Sequence, residues 1–284
     1  MSFVSFARSH GLILDYAEPD SRWHRCATED KPKKKNGAYL WDGIRGVVKN
    51  FATMTDYAAF RDGTKIGRIT KNELRARKVI ADADKRARQI EARRLASDMM
   101  KRASTAPHPY LATKGFPNEA GLVLDGELLI PMREFSLYKQ LNSLQRIAAD
   151  GSKLFLPGGK AKGSVFIIGP MMARERWLCE GYATGLSIRE ALRALYRQAS
   201  IVVCFSAGNL THIGRLLKAL KQPAYVMADN DESKAGEQAA KDSGLPWVMP
   251  PEVGMDANDL HQRAGITALV NLLKTVRARA AEAA

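Results

Sequence analysis

Residues 176–249 read RWLCEGYATGLSIREALRALYRQASIVVCFSAGNLTHIGRLLKALKQPAYVMADNDESKAGEQAAKDSGLPWVM. Short apolar runs, WLCE (177–180), IVVCF (201–205), AYVMAD (224–229) and PWVMP (246–250), alternate with segments of helical composition. The latter are ATGLSIREALRALYR (183–197), LTHIGRLLKAL (210–220) and SKAGEQAAKDS (233–243). Alternation with short connections predicts a parallel sheet with crossover helices, an α/β fold. Ligands of such sheets bind at the carboxyl ends of the strands.

Acidic residues stand at those ends. Glu180 closes the first run and is followed by Gly181, which permits a sharp turn into the next helix; Asp229 and Asp231 close the third. Residues two apart in an extended segment project to one face, so Asp229 and Asp231 are expected to aim both carboxylates at one point. If the strands bearing Glu180 and Asp229 are neighbours, three carboxylates converge. Such a cluster repels itself unless cations neutralise it, and hard oxygen ligands suit Mg²⁺ or Mn²⁺. Asp256 and Asp259, in GMDANDL, follow the last strand. Their spacing also fits a helix N-cap with an acidic first turn, and the two roles are compatible. The helix start at Ala183 and Thr184 offers N–H groups to an anion.

Upstream, GELLIPMREF (126–135) and KQLNSLQRIA (139–148) read as a β-hairpin around Ser136-Leu137-Tyr138. KLFLPGGKAKGSVFIIG (153–169) adds two strands around a Gly-rich loop carrying Lys160 and Lys162, a composition that suits either phosphate contact or an ordinary hairpin tip. Lys71 to Arg102 contains no Gly or Pro and is predicted to be one long basic helix. Its apolar positions, Leu74, Val79, Ile90, Leu95 and Met99, are sparse, as expected of a solvated bridge or of a helix laid on nucleic acid. Residues 1–66 read as a small β-rich module. Turn signals at Asn36-Gly37, Asp42-Gly43 and Asp62-Gly63 separate aromatic segments such as AYLW (38–41) and VVKNF (47–51).

The chain has 284 residues and a formal net charge of +14, with 45% hydrophobic and 26% charged residues. This is a globular composition, and it excludes fibrous, collagen-like and wholly disordered chains. No apolar run approaches a membrane span and the first residues lack the pattern of a signal peptide, so a cytoplasmic protein is expected. Residues 1–200 hold 35 basic and 21 acidic side chains, whereas residues 201–284 hold 9 of each. The cationic excess therefore precedes the acidic site, and a polyanion such as nucleic acid is the expected partner. Cys26, Cys179 and Cys204 form no C-x-x-C pair, and no structural zinc site is expected.

Taken together, LCEGYATGLSIREAL, IVVCFSAGNL, AYVMADND and GMDANDL resemble a Toprim domain, the catalytic fold shared by bacterial-type primases, topoisomerases and some nucleases. With PHPYLATKGF, LLIPM and SLQRIAADGSKLFLPGGKAKG upstream, the stretch from about 105 to 265 resembles the primase-like proteins of phages, plasmids and integrative elements. The match is looser over the first 70 residues, where RCATEDKPKKKNGAYLWDG stands. The resemblance implies a Toprim fold, a Rossmann-like parallel sheet with flanking helices, preceded by a β-rich subdomain, a long basic helix and a small N-terminal module. The expected divisions are 1–66, a candidate nucleic-acid-binding module; 67–104, a basic helical linker; 105–170, a β-rich basic subdomain; 171–264, the Toprim domain; and 265–284, a C-terminal helix.

The resemblance further implies that Glu180 is the Toprim glutamate, a metal ligand or proton-transfer group, and that Asp229 and Asp231 are the metal-binding pair. Asp256 and Asp259 match a less uniform acidic feature. The implied activity is that of a DNA primase making short RNA primers on single-stranded DNA from nucleoside triphosphates by two-metal transfer, for replication of a mobile element. Lys114, Arg133, Arg146, Lys153, Lys160 and Lys162 are the expected grips on triphosphate or template. Trp23, Tyr39, Trp41, Phe51, Tyr57 and Phe60 include candidates for base stacking, most of them expected in a core. The sequence departs from replicative primases in lacking their Cys/His zinc module and a following helicase motif. Template recognition then falls to the basic N-terminal part or another chain, and a helicase or initiator is an expected partner. RARAAEAA (277–284) at the C-terminus reads as a frayed helix end or a docking segment for it. A Toprim nuclease using the same acids, and a non-catalytic nucleic-acid-binding accessory protein, are the competing readings; a topoisomerase would need a tyrosine domain and gate for which the chain has no room.

Overall fold

Every strand and helix predicted for residues 176–249 is present in a computed structural model of the chain. The structure describes residues 1–54, 56–61 and 71–282, without the side chains of 71–78 and 279–282. The Asp62-Gly63 turn, the 66/67 boundary and the side chain of Leu74 lie outside the described residues, as does the end of the C-terminal RARAAEAA segment. The chain divides into two compact units, Met1–Arg86 and Ala87–Ala284. No helix among the described residues is long and apolar enough to cross a membrane.

The first unit opens with α1 (Phe3–Ser9), which the sequence reading of strands and loops did not foresee. Ser2 caps it, its hydroxyl accepting the Ser5 N–H at 3.1 Å, and Phe3 and Ala7, one turn apart, are buried. Five strands follow: β1 (Leu12–Ile13), β2 (Trp23–Thr28), β3 (Gly37–Trp41), β4 (Arg45–Asn50) and β5 (Ala58–Arg61). They form an antiparallel sheet in sequence order. Phe3 stacks on Trp41 at 4.4 Å and meets Phe60 edge-on at 5.7 Å, so α1 supplies the apolar partner that a small sheet needs. Asn36-Gly37 is no hairpin turn: Gly37 is the first residue of β3 and buried. A Cβ there would stand 2.9 Å from Cys26 Sγ, so the glycine serves close strand packing.

The predicted basic helix is α2 (Lys71–Arg102). Its buried side is an alanine face, not the scattered larger residues. Ala92 and Ala96 are buried, while Val79, Ile90 and Leu95 are exposed. Ala96, with Met99, Met100 and Ala103, packs on Leu129, Leu144 and Leu156 in the second unit.

That unit continues with β6 (Ser104–Pro107), α3 (Pro109–Thr113), β7 (Ala120–Leu124), β8 (Glu127–Glu134), β9 (Leu141–Ile147), β10 (Lys153–Phe155) and β11 (Ser164–Ile168). The alternating region then supplies β12 (Arg176–Cys179), α4 (Tyr182–Ala194), β13 (Ser200–Val203), α5 (Ala207–Ala219), β14 (Ala224–Met227), α6 (Ala235–Ser243), β15 (Trp247–Val248) and α7 (Ala257–Glu282). Gly265, at φ 77°, breaks α7. The hairpin β8–β9 forms as expected. The Gly-rich loop, however, is a crossing connection and not a hairpin tip, because β10 pairs with β9 while β11 pairs with β8 and β13. Through β11 the β-rich segment and the parallel strands share one sheet, in the order β10-β9-β8-β11-β13-β12-β14-β15.

The strands β13, β12, β14 and β15 are parallel neighbours. Their side chains alternate between two layers: Trp177 and Cys179 face a core built with α4 and α7, and Leu178 faces one built with α5 and α6. Trp177 is wholly buried, stacks on Tyr225 at 4.9 Å and donates its indole N–H to Glu175 at 2.8 Å. Its truncation to alanine would cost about 3–5 kcal/mol, the usual toll for a large core aromatic. Both faces of the sheet are thereby closed, which leaves the carboxyl edge as the accessible edge for chemistry.

Candidate active site at the carboxyl edge of the sheet

Because β12 and β14 are adjacent and parallel, with Leu178 opposite Val226, the chain leaves neighbouring strands at Glu180 and Asp229. Gly181 caps α4 at an ordinary φ of −97°, so no unusual turn demands the glycine. What it provides is room, since a Cβ would stand 3.2 Å from Thr184 Oγ1. No side chain caps α4, whose first N–H groups are left for another acceptor. At Gly236 the demand is stronger: a Cβ there would come within 2.3 Å of the Asp229 carbonyl oxygen, so α6 packs on the acidic loop only with glycine at this position.

Glu180, Asp229 and Asp256 line one cavity of about 200 Å³ together with Lys114 and Lys153. Tyr110, Gln145, Thr184 and Phe205 complete its wall. Burial, then the Asp231 charge, pushes Glu180 up to about 7. Burial pushes Asp229 up to about 8, reinforced by Glu180, Asp256 and Asp231 and opposed by Lys153. One oxygen of Asp229 is buried with no hydrogen-bond partner. Ionised carboxylates crowded in a dry site are costly until a positive charge joins them. An orphaned buried oxygen among mutually repelling acids is the donor set that a hard divalent cation fits.

The remaining acids have local partners. Asp231 accepts the Gly236 N–H at 2.8 Å, the Ala235 N–H at 3.1 Å and the Ser233 hydroxyl. Although burial works the other way, these hydrogen bonds hold its pKa below the ordinary value. It therefore steadies the start of α6 while its charge acts on Glu180 and Asp229, and it does not line the cavity. Asp256 Oδ1 accepts the Asp259 N–H at 2.8 Å, and Asp259 Oδ2 accepts the Asp256 N–H at 3.1 Å, a reciprocal cap at the start of α7. The other Asp256 oxygen accepts from Thr184 Oγ1 at 3.4 Å. Asp259 stands 3.8 Å from Lys114 Nζ. Asn258 fixes that lysine's backbone, donating to its carbonyl at 2.8 Å.

Among the described residues, the set whose ligand atoms all lie within 4.8 Å of one another is Glu18, Asp20 and His24, in the first unit. There His24 is hydrogen-bonded to Asp20 at 2.9 Å and stacked on Tyr39. The acids of the cavity do not form such a tight set.

Of the six basic residues singled out in the sequence, Lys114 and Lys153 reach the cavity. Burial and the nearby Lys114 lower the pKa of Lys153, against the pull of Asp256 and Asp229, and its ammonium lies 5.6 Å from the Tyr110 ring centre. Arg146 faces Glu127 at 3.4 Å, Lys160 pairs with Glu134, Arg133 donates to the Lys139 carbonyl at 3.2 Å, and Lys162 is exposed. Tyr110, Gln145 and Phe205 are wall residues that sequence reasoning did not single out. The Tyr110 hydroxyl is buried beside the start of α4, where the Ala183 N–H approaches it. Phe205 has φ 68°, unusual for a bulky side chain, and its N–H donates to the Glu180 carbonyl at 2.9 Å. No spacing pattern announces either feature.

Residues 175–267 match the Toprim domain family. Two proteins of Escherichia coli named DNA primase TraC are similar over 254 residues: one is 30% identical, spanning 81% of this chain and 23% of that protein, and the other is 27% identical, spanning 81% and 17%. The chain thus spans about a fifth of the length of these relatives. Among solved structures, the primase fragment of the bacteriophage T7 primase-helicase protein aligns at 16% identity over 54% of this chain and 65% of its own, with a TM-score of 0.39. A chain from a complex of the T7 lagging-strand DNA polymerase with primase domains aligns at 13% identity over 60% and 91%, with a TM-score of 0.42. With an acidic cavity at the edge of a sheet that matches the Toprim domain family over residues 175–267, the chain is similar to Toprim-containing proteins named as DNA primases.

Proposed function

We propose that the chain carries the catalytic centre of a DNA primase, which joins nucleoside triphosphates into short RNA on a single-stranded DNA template. The observation that carries this reading is the meeting of Glu180, Asp229 and Asp256 with Lys114, Lys153 and the uncapped start of α4 in one cavity. Divalent cations, Mg²⁺ or Mn²⁺, would supply charge neutralisation at the attacking hydroxyl and the departing pyrophosphate. Glu180 and Asp229 would hold them, with Asp256 beside them and Asp231 and Asp259 acting through charge and capping. A cation held there would offset the burial and the Asp231 charge that raise Glu180, keeping its carboxylate ionised as a ligand. Lys114, Lys153 and the free N–H groups at Ala183 and Thr184 favour a triphosphate, and the Phe205 ring offers a surface to a base.

The basic wall favours this reading over a metal-dependent nuclease, which needs the acids but no cradle for a triphosphate. Incubation with single-stranded DNA, labelled ribonucleotides and Mg²⁺ or Mn²⁺ tests it. Oligoribonucleotides made by the wild type and lost in Glu180→Gln and Asp229→Asn are expected. Template breakdown without products would replace the reading with a nuclease. Neither activity, with DNA binding intact, would leave an accessory protein.

A further inference from the structure

The sheet of the first unit has two faces of opposite character. Side chains alternate along its strands, so Cys26, Tyr39, Val48 and Phe60 point toward α1 and build the core. The other face carries Trp23 and Arg25 from β2, Arg45 and Lys49 from β4, and Arg61 from β5, with Phe51 and Tyr57 at the adjoining strand ends. Trp23, Phe51 and Tyr57 are 51%, 45% and 54% exposed, in contrast to the buried Tyr39. Their rings interleave with cations. The Arg25 guanidinium lies 4.4 Å from the centre of Phe51, the Lys49 ammonium lies 4.8 Å from that of Tyr57, and Trp23 and Tyr57 are 5.4 Å apart.

Small residues stand opposite several of the cations and apolar residues of this face, while Trp23 pairs with Leu40. Ala38 is the cross-strand partner of both Arg25 and Lys49, and Ala59 is that of Val47. Arg45 and Arg61 are direct register partners, a like-charge opposition that an anion lying across it would relieve. The strand positions of this face contain no Asp or Glu.

We propose that this face binds single-stranded DNA, with bases stacking on Trp23, Phe51 and Tyr57 and phosphates meeting Arg25, Arg45, Lys49 and Arg61. Flat rings accept any base and cations accept any phosphate, so binding is tolerant of sequence and sensitive to salt. Duplex DNA hides its base faces and cannot use the rings. In choosing DNA over RNA the inference rests on the primase reading.

The test uses the full chain and a fluorescein-labelled oligodeoxythymidylate of roughly 16 nucleotides, long enough for one such surface. Anisotropy is followed across a salt series, and circular dichroism confirms folding. Trp23→Ala and Tyr57→Ala should each weaken binding about 5- to 100-fold, with Trp23→Phe retaining most of the affinity. Arg25→Gln should lower the slope of log K against log salt by about 0.7, the value for one phosphate contact on a single strand. Folded alanine variants that bind like the wild type, an unchanged salt slope, or tighter binding to duplex DNA or to oligouridylate would each overturn the proposal. None of these readings uses nucleotide incorporation. Primer synthesis can therefore fail while this surface stands, and this surface can fail while primer synthesis stands.

Discussion

In the cavity beyond β12 and β14, carboxylates crowd a small volume behind aromatic and lysine walls; on the open face of the N-terminal sheet, cations and rings stand in solvent. Both are concentrations of one sign of charge, yet their energetics differ. Water and salt screen the exposed arginines, so the sheet tolerates even the Arg45–Arg61 opposition. The half-buried acids of the cavity have less such relief, and desolvation together with their mutual repulsion raises the pKa values of Glu180 and Asp229. One region is suited to a long, weakly specific polyanion held by many small contacts. The other is suited to a compact cation held by a few strong ones.

The sharpest way to break this contrast is to remove acid from the cavity. Asp229→Asn and Glu180→Gln should lower nucleotide incorporation about 1,000-fold or more, since several kcal/mol of charge stabilisation depend on the cation. Affinity for single-stranded DNA should stay within about twofold in the same variants, because the strand contacts are elsewhere. Loss of both together would show that the regions are not separable.

A smaller effect is expected at the basic wall. Lys153→Ala removes an ammonium facing the same space as Asp229 and Asp256, and should raise the KM for nucleotide about tenfold, the effect of one charge-assisted contact of roughly 1.5 kcal/mol. Steady-state kinetics at saturating template would show it. A fall in kcat at unchanged KM would instead assign this lysine to the transition state.

An effect of similar size falls on stability. Glu180 and Asp229 have folded-state pKa values raised above the ordinary carboxylate range, so between about pH 4 and pH 8 the folded chain holds more protons than the unfolded one. Without metal, the contribution of these groups to stability therefore declines as pH rises through that window. Asp229→Asn deletes one of the repelling charges and should stabilise the metal-free chain by about 1–3 kcal/mol at pH 8, with little change at pH 5. Urea melts in a chelator measure this. An equal effect at both pH values would mean that packing and not charge is responsible.

How much of this was legible in the sequence follows from how local each signal is. The strands and helices of residues 176–249 announce themselves by alternation, and β12 and β14 prove to be the neighbours that the acid cluster requires. The seven-residue helix α1 is too short for a periodic signal and gains its stability from Phe3 on Trp41. The packing side of α2 is built from Ala92 and Ala96, which look neutral beside the larger but exposed Ile90 and Leu95. Asp229 and Asp231 are a pair in sequence, but they part company because the start of α6 claims the second carboxylate. Of the six aromatics singled out in the first unit, alternation along the paired strands decides which of Trp23, Tyr39, Trp41 and Phe60 face the core, and that register exists only once the strands are paired. Phe205 and Tyr110 enter the site through backbone geometry and long-range packing, which no spacing records.

The central claim is that the cavity acids act together on a divalent cation, and calorimetric titration of the chain with Mn²⁺ at pH 7 addresses it most directly. Repetition in buffers of different ionisation enthalpy counts the protons displaced. The wild type should bind Mn²⁺ and release protons, because Asp229, raised to about 8, must lose its proton to become a ligand, and Asp229→Asn should lose both binding and release. A wild type that binds no Mn²⁺, or a variant that binds it equally well, would contradict the account.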